Sequence, residues 1–290
     1  MALSPPVVLT IAGFDPCSGA GITADIKTIA AHECYGVACI TALTIQSTRG
    51  VRRVEGVDPQ IIAETLQELI SDLAVDAIHI GMLGNERVIE VVADFLGDLG
   101  KQARRPHVVL DPILKSSSGA ALLDEAGLGP FLERLVPLAE VITPNLDEAS
   151  VLTGIPVTNL DEMRTAAAHL HSLGAANVVV TGGHLEKAID LLSFAAARGV
   201  EQEVFRSDLL RSNSTHGTGC AFSTALACHL AHGRGLPEAV LLSKVYVSAA
   251  IANAHPMGKG VGPVHHLYRM GQQKRQSSIV TEAEHTHSRN

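Results

Sequence analysis

The run "STHGTGCAFSTALACHLA", residues 214–231, sets a glycine-rich turn against a segment of small residues with helical character. Gly217, Thr218, Gly219 and Cys220 place consecutive backbone N–H groups at a predicted helix N-terminus. Unpaired donors and the helix dipole there attract a phosphate or a developing oxyanion. No Lys-Ser/Thr pair follows, so the loop is not of the Walker type. A cysteine at such a terminus is expected to have a depressed pKa. The plainer alternative is a small thiol packing a tight turn, which is how Cys228, two turns on, reads. A Cys-His protease would need a His–Asn pairing, and the sequence locates none.

Three further stretches carry chemistry. "SGAGITADIK" (18–27) follows a strand-like run and opens a helix, and Gly19, Gly21 and Ala24 fit a loose dinucleotide fingerprint. That fingerprint wants an acidic residue ending the second strand, where this chain has Thr44 and Gln46, so a nicotinamide oxidoreductase is disfavoured. Asp25 stands at the edge of the apolar stripe Ile22, Ile26 and Ile29, as a solvated or capping carboxylate or as a ligand contact. "TPNLDEA" (143–149) ends a strand and starts a helix, with Asn145 and Glu148 spaced as a capping box. Glu148 could instead hold Mg²⁺ through water, because Mg²⁺ keeps much of its hydration shell. Fourteen histidines invite a metal reading, but neighbours such as the pair in "PVHHLY" point to opposite faces of a strand.

The elements that must position these residues alternate. Strand-like runs at 7–13, 37–46, 76–82, 107–112, 140–145 and 177–183 are separated by helical patterns near 20–32, 59–73, 85–99, 121–136 and 161–173. Strands apolar on both faces predict a mostly parallel sheet covered on both sides. "AIDLLSFAAA" and "EQEVFRS" read as antiparallel edge strands, helices follow near 218–233 and 237–254, and 49–59 reads as a short projecting strand and lid candidate. Each of the six runs ends in glycine or a functional residue: Gly13 and Asp15, Gln46, Gly81 and Met82, Asp111, Thr143 and Asn145, Thr181 and Gly183. Parallel α/β sheets bind ligands beyond the carboxyl ends of their strands, so one site along that edge is predicted.

The chain has 290 residues, with 46% hydrophobic and 18% charged, enough to bury a substantial core. Residues 1–270 read as one domain and 271–290 as a disordered tail without periodicity. Five scattered cysteines without metal spacing suit reduced thiols in the cytoplasm. A net charge of −8 and 3% aromatics disfavour nucleic acid, and no run is long enough to span a membrane.

In order along the chain, "IAGFDPCSGAGITADIKT", "ITALTIQSTRGV", "IHIGML", "VLDP", "ITPNLDEA", "GGHLE", "THGTGCAFSTALA" and "GKGVGPVHH" resemble the motifs of hydroxymethylpyrimidine/phosphomethylpyrimidine kinases. These are ribokinase-like enzymes of thiamine biosynthesis. The resemblance covers about Val7 to Tyr268. It implies a three-layer α/β sandwich and two successive phosphorylations of an aminopyrimidine, with ATP as co-substrate and Mg²⁺ as cofactor. It also implies that Gly13, Asp25, Gln46 and Met82 line the pyrimidine pocket, with Asp25 and Gln46 bonding the ring nitrogens and amino group. Asp111 and Glu148 would serve Mg²⁺, and Asn145, Thr181 and Gly183 the nucleotide. Residues 217–220 would be the anion hole, with Cys220 where sugar-kinase relatives carry an aspartate base. Partners are then the pyrimidine, ATP and a second copy in a homodimer. Other readings from the resemblance are a pyridoxal-type kinase and a catalytically weak pyrimidine-binding protein. Departures include Thr181 where lysine is common, Ser117 where lysine is frequent, with Lys115 two residues away, Gly84 in place of a different small residue, and Cys17-Ser18 where Ser-Gly is usual.

Overall fold

The β-branched runs form the centre of a sheet that has nine strands among the described residues. The computed structural model describes residues 4–101, 104–116, 119–183, 188–197, 199–208, 210 and 212–270. Ser117, part of the "GGHLE" motif and the expected tail lie outside the described residues. The strands are β1 (Val7–Phe14), β2 (Tyr35–Ser47), β3 (Gly50–Gly56), β4 (Ala77–Ile80), β5 (His107–Leu110), β6 (Val141–Ile142), β7 (Asn177–Gly182), β8 (Ala188–Ala196) and β9 (Gly199–Ser207). They lie in the order β3-β2-β1-β4-β5-β6-β7-β8-β9. Pairing is parallel from β2 through β7 and antiparallel at both edges. The 49–59 run thus supplies β3, hairpinned onto β2.

Helices cover both faces: α1 (Gly21–Ala31), α2 (Pro59–Asp72), α3 (Glu86–Leu99), the single turn α4 (Leu128–Pro130), α5 (Leu146–Thr153), α6 (Leu160–Ser172), α7 (Thr218–Ala231) and α8 (Leu236–Ala252). Side chains alternate across each strand, so one sequence run feeds two cores. Leu9, Ile11, Ile78, Ile80 and Leu110 pack with α2, α3, α5 and α6. Val8, Ala77, Val109 and Val141 pack with α1, α7 and α8. This is the three-layer sandwich the sequence predicts. Every residue of α7 from Ala221 to Leu230 is buried, as expected for a helix apolar all round.

Two elements differ from the sequence reading. The helix expected over 121–136 is a chain of irregular turns from Glu125 to Leu138, in which three-residue, α and wide turns succeed one another. Gly127, Gly129, Pro130 and Pro137 explain it: the glycines weaken a helix and the prolines lack the N–H that would continue one. The strand expected over 140–145 is reduced to Val141–Ile142, because Pro144 has no ladder donor. Among the described residues no helix is long and apolar enough to cross a membrane.

Candidate active site

Helix α7 begins beside the carboxyl ends of β1 and β5. Its N-cap, Gly217, has φ +84° and supplies no side-chain cap, whereas α2, α3, α5 and α6 are capped by Asp58, Asn85, Asn145 and Asn159. A Cβ on Gly217 would sit 1.8 Å from the Gly19 carbonyl oxygen, so the turn fits against the loop after β1 only as glycine. Helix α1 also lacks a side-chain cap, and two uncapped N-termini therefore meet here. Gly217, Thr218, Gly219 and Cys220 form the turn that opens α7, the place expected for an anion site.

Asp111 follows β5, and its Oδ2 lies 3.8 Å from where a Gly219 Cβ would stand. Ser223, one turn into α7, donates to Asp111 Oδ2 at 2.9 Å. Asp111 is buried, and burial raises its carboxyl to about 6 against the pull of His79 and Ser223. Glu148 completes the capping box of α5: its Oε2 accepts from Asn145 N, and its own N–H donates to Asn145 Oδ1, both at 2.9 Å. Burial, followed by the charge of Asp111, pushes Glu148 to about 9. The capping-box reading of "TPNLDEA" is thus present, and the same buried carboxyl is the one the Mg²⁺ reading invokes. Two buried carboxyls, one of which feels the charge of the other, suit a divalent cation, which would supply the missing positive charge.

Asn145 forms a bridge with Thr181 at the end of β7, where Thr181 N donates to Pro144 O at 2.9 Å. Gly183 follows in open space. On the other side of α7, Gly13 lies against Met82, whose sulfur is 3.0 Å from a Cβ built there. Gln46 Nε2 lies 3.2 Å from His216 Nε2, and Thr44 Oγ1 donates to Gln46 Oε1 at 3.3 Å. Gln46 and His216 line a cleft of ≈ 140 Å³ with the hairpin tip, Ser116, Gly260 and Val261. The tip is held from outside: Lys259 N and Gly260 N donate to Thr48 Oγ1. A larger depression of ≈ 650 Å³ between α3 and residues 133–138 shares no residue with this group.

Two expectations change. Asp25 does not stand at an exposed edge of α1. It is wholly buried, and its oxygens accept from Thr10 Oγ1 at 2.7 Å and Thr224 Oγ1 at 2.9 Å. The α1 register that places Ile22 and Ile29 in the core carries Asp25 inward with them. The Cys220 thiol is not depressed. Burial, with the charges of Asp111, Asp25 and Glu148, pushes it well above the ordinary thiol range, against the help of the Gly21 backbone. Burial, joined by these carboxylates, outweighs the helix terminus.

The structure also adds a buried chain that the sequence reading did not include. His79 Nδ1 lies 3.4 Å from Asp25 Oδ2, and its Nε2 lies 3.0 Å from Ser223 Oγ, which donates to Asp111. Burial opposes the imidazolium, but the Asp25 charge and hydrogen bond win and raise its pKa. The available signals were Thr10 and His79, polar residues inside apolar strand runs. Asp15 was similarly underused. It accepts from Cys17 N, Gly19 N and Ala20 N, and lies 2.9 Å from His216 Nε2. Burial would raise its carboxyl, but the bonds from His216 and Cys17 outweigh that and hold it at about 2. Its stabilising effect is therefore present above about pH 4 and lost as pH falls through about 2. Asp15→Asn should lower stability by about 2 kcal/mol at pH 7. In urea titrations the gap from the parent chain should close toward pH 2; a gap independent of pH would contradict the assignment.

A family model described as "Phosphomethylpyrimidine kinase" matches residues 15–265, a span holding every residue of this site except Gly13. The chain belongs to the phosphomethylpyrimidine kinase family. It is 44% identical over 262 residues to the thiamine biosynthesis bifunctional protein ThiED of Geobacter sulfurreducens, with 90% of this chain covered. It spans only 52% of that relative's length. It is 39% identical over 271 residues to the hydroxymethylpyrimidine/phosphomethylpyrimidine kinase of Streptomyces coelicolor, covering 93% of this chain and 97% of that one. Among solved structures, a pyridoxal kinase from Bacillus subtilis in complex with ADP superposes with a TM-score of 0.82 at 35% identity. That alignment covers 92% of this chain and all of the other. As a kinase of this family, the chain is a phosphotransferase.

Proposed function

We propose that the chain phosphorylates hydroxymethylpyrimidine at its hydroxymethyl group and then phosphorylates the monophosphate to the diphosphate. The observation that carries this reading is the uncapped N-terminus of α7 facing buried Asp111. An anion cradle beside a carboxylate pair is what phosphoryl transfer uses, since that reaction depends on positioning and charge stabilisation. Asp111 and Glu148 would hold Mg²⁺, which when bound neutralises phosphate charge. Asn145, Thr181 and Gly183 border the nucleotide side. Gln46, Gly13 and Met82 border the acceptor side, where the Gln46 amide can bond a pyrimidine edge, and the β2–β3 hairpin closes over it.

Cys220 stands between the two sides as a thiol that keeps its proton among carboxylates. A neutral group tolerates both acceptors: the alcohol, and the phosphate, whose second pKa of about 6 makes it largely a dianion. Cys220→Asp adds a charge that repels the dianion, so the second phosphorylation should fall further than the first. Equal losses in the two steps would remove this role for the thiol.

The B. subtilis neighbour favours a second reading, a pyridoxal-type kinase. ATP consumption by the purified chain with Mg²⁺, measured with hydroxymethylpyrimidine, its monophosphate, pyridoxal and no acceptor, separates the two. Turnover with both pyrimidines and little with pyridoxal supports the first reading. Turnover mainly with pyridoxal replaces it and keeps the site.

A further inference from the structure

Phosphoryl transfer leaves one cluster of donors unused. A carboxylate oxygen of Asp15, the Cys17 sulfur and a ring nitrogen of His216 lie within 4.8 Å of one another. Asp15 Oδ2 is 2.9 Å from His216 Nε2 and 3.3 Å from Cys17 Sγ. Asp15 is buried and the other two are half-buried, so the cluster has a fixed floor and an open side. The ligands come from two tightly joined segments, since a Gly19 Cβ would stand 2.2 Å from the His216 ring.

The donor types point to a class of ion. Mg²⁺ selects hard oxygen ligands, whereas one thiolate, one imidazole and one carboxylate suit Zn²⁺ and its first-row neighbours. Three protein ligands leave a fourth position for water. We propose that Asp15, Cys17 and His216 form a binding site for a divalent transition-metal ion of the Zn²⁺ class, and that its occupancy inhibits the kinase. The thiol proton, and any proton on His216 Nε2, leave to solvent as the metal bonds form, and no redox change is involved. Burial and the Asp15 charge hold that thiol proton firmly, at about 11, so the ion must displace it.

The inhibitory part follows from His216. The same Nε2 that faces Asp15 lies 3.2 Å from Gln46 Nε2. A metal on that nitrogen replaces its proton, ends the Asp15–His216 hydrogen bond and places positive charge beside the Gln46 amide at the acceptor cleft. The site is distinct from Asp111 and Glu148, and Cys17 has no part in the transfer reaction.

The test uses the full chain, stripped with a chelator and titrated with Co²⁺ and then Zn²⁺ in the absence of nucleotide. One equivalent of Co²⁺ should give a cobalt–thiolate charge-transfer band that Zn²⁺ displaces. Cys17→Ser should abolish the band and weaken Zn²⁺ binding at least about tenfold, because even outer partners of metal ligands carry tenfold effects or more. Cys220→Ser should keep the band, which excludes the other half-buried thiol. In turnover assays with Mg²⁺ present, Zn²⁺ should inhibit the parent chain and spare Cys17→Ser, whose activity without Zn²⁺ is unchanged. No band in the parent, a band that survives Cys17→Ser, or equal Zn²⁺ inhibition of both chains would overturn the proposal. The inhibition clause rests on the kinase reading, while the spectroscopic arm does not, so their failures are distinguishable.

Discussion

Gly217→Ala should reduce kcat/KM by at least about 100-fold, the scale seen when a preorganised oxyanion donor is lost. At φ +84° an L-residue costs roughly 1–2 kcal/mol, and the new methyl would also meet the Gly19 carbonyl oxygen, built 1.8 Å away. That oxygen belongs to backbone, so relief requires moving one of the two loops. Either movement turns the N–H groups of Thr218, Gly219 and Cys220 away from a common point. Gly97→Ala, the same chemical change in the last turn of α3, has open space and should stabilise by up to about 1 kcal/mol with turnover unchanged. Steady-state kinetics with thermal unfolding of both variants makes the comparison. A Gly217→Ala enzyme within threefold of the parent would show that the turn does not cradle the transferred group.

Glu148→Gln should separate structure from function at one atom. A glutamine carbonyl can still accept from Asn145 N, so the capping box survives. The buried charge does not. In the metal-free chain Glu148 titrates near 9 instead of its ordinary 4.5, so the folded state holds a proton that the unfolded state has released. The stabilisation is complete below about pH 4.5 and is lost as pH rises through about 9. Metal-free stability should therefore fall between those limits, by up to about 1.4 kcal/mol per pH unit from this group. Glutamine removes that slope. Mg²⁺ should flatten it in the parent, because a bound cation favours the carboxylate and stabilises the state that binds it. Activity should fall about 10- to 100-fold, with a higher Mg²⁺ requirement, as expected when a carboxylate serving the ion is lost. Denaturant midpoints against pH, with and without Mg²⁺, together with Mg²⁺ titrations of turnover, check each part. An unchanged Mg²⁺ requirement would reduce Glu148 to a cap.

The sheet was legible because its signals are local. Apolar runs mark β1, β4, β5 and β7 directly, and the polar residues that end them lie on one edge by the geometry of parallel pairing. The turn that opens α7 was legible for the same reason: Gly217 and Gly219 stand at the junction of loop and helix. What failed to show was electrostatic and long-range. The local cue at Cys220, a helix N-terminus, points toward a lower pKa, and it is overruled by burial first and then by the carboxylates of Asp111, Asp25 and Glu148. Asp25 looked like a surface edge because its partners, Thr10 and Thr224, lie 15 and 199 residues away. His216 reaches Asp15 across 201 residues, which no window along the sequence includes. The helix expected over 121–136 fails for a local reason: Gly127, Gly129 and Pro130 interrupt its helical period.

The burial of α7 sets an order on how this molecule is assembled. Synthesis delivers β1, α1, β4 and β5 first, and with them Asp25, His79 and Asp111, all destined for the interior. Ser223 and Thr224, which satisfy them, arrive on a helix made after all nine strands. Until then the growing sheet carries charged groups on the face that α7 will cover, and closing that face over unpaired charge is costly. The N-terminal portion must therefore wait, hydrated and half-covered, for residues 218–231. The helix that carries the proposed anion turn is also the one that lets the core close, so a chain unable to seat α7 has neither that turn nor a stable sheet to display it.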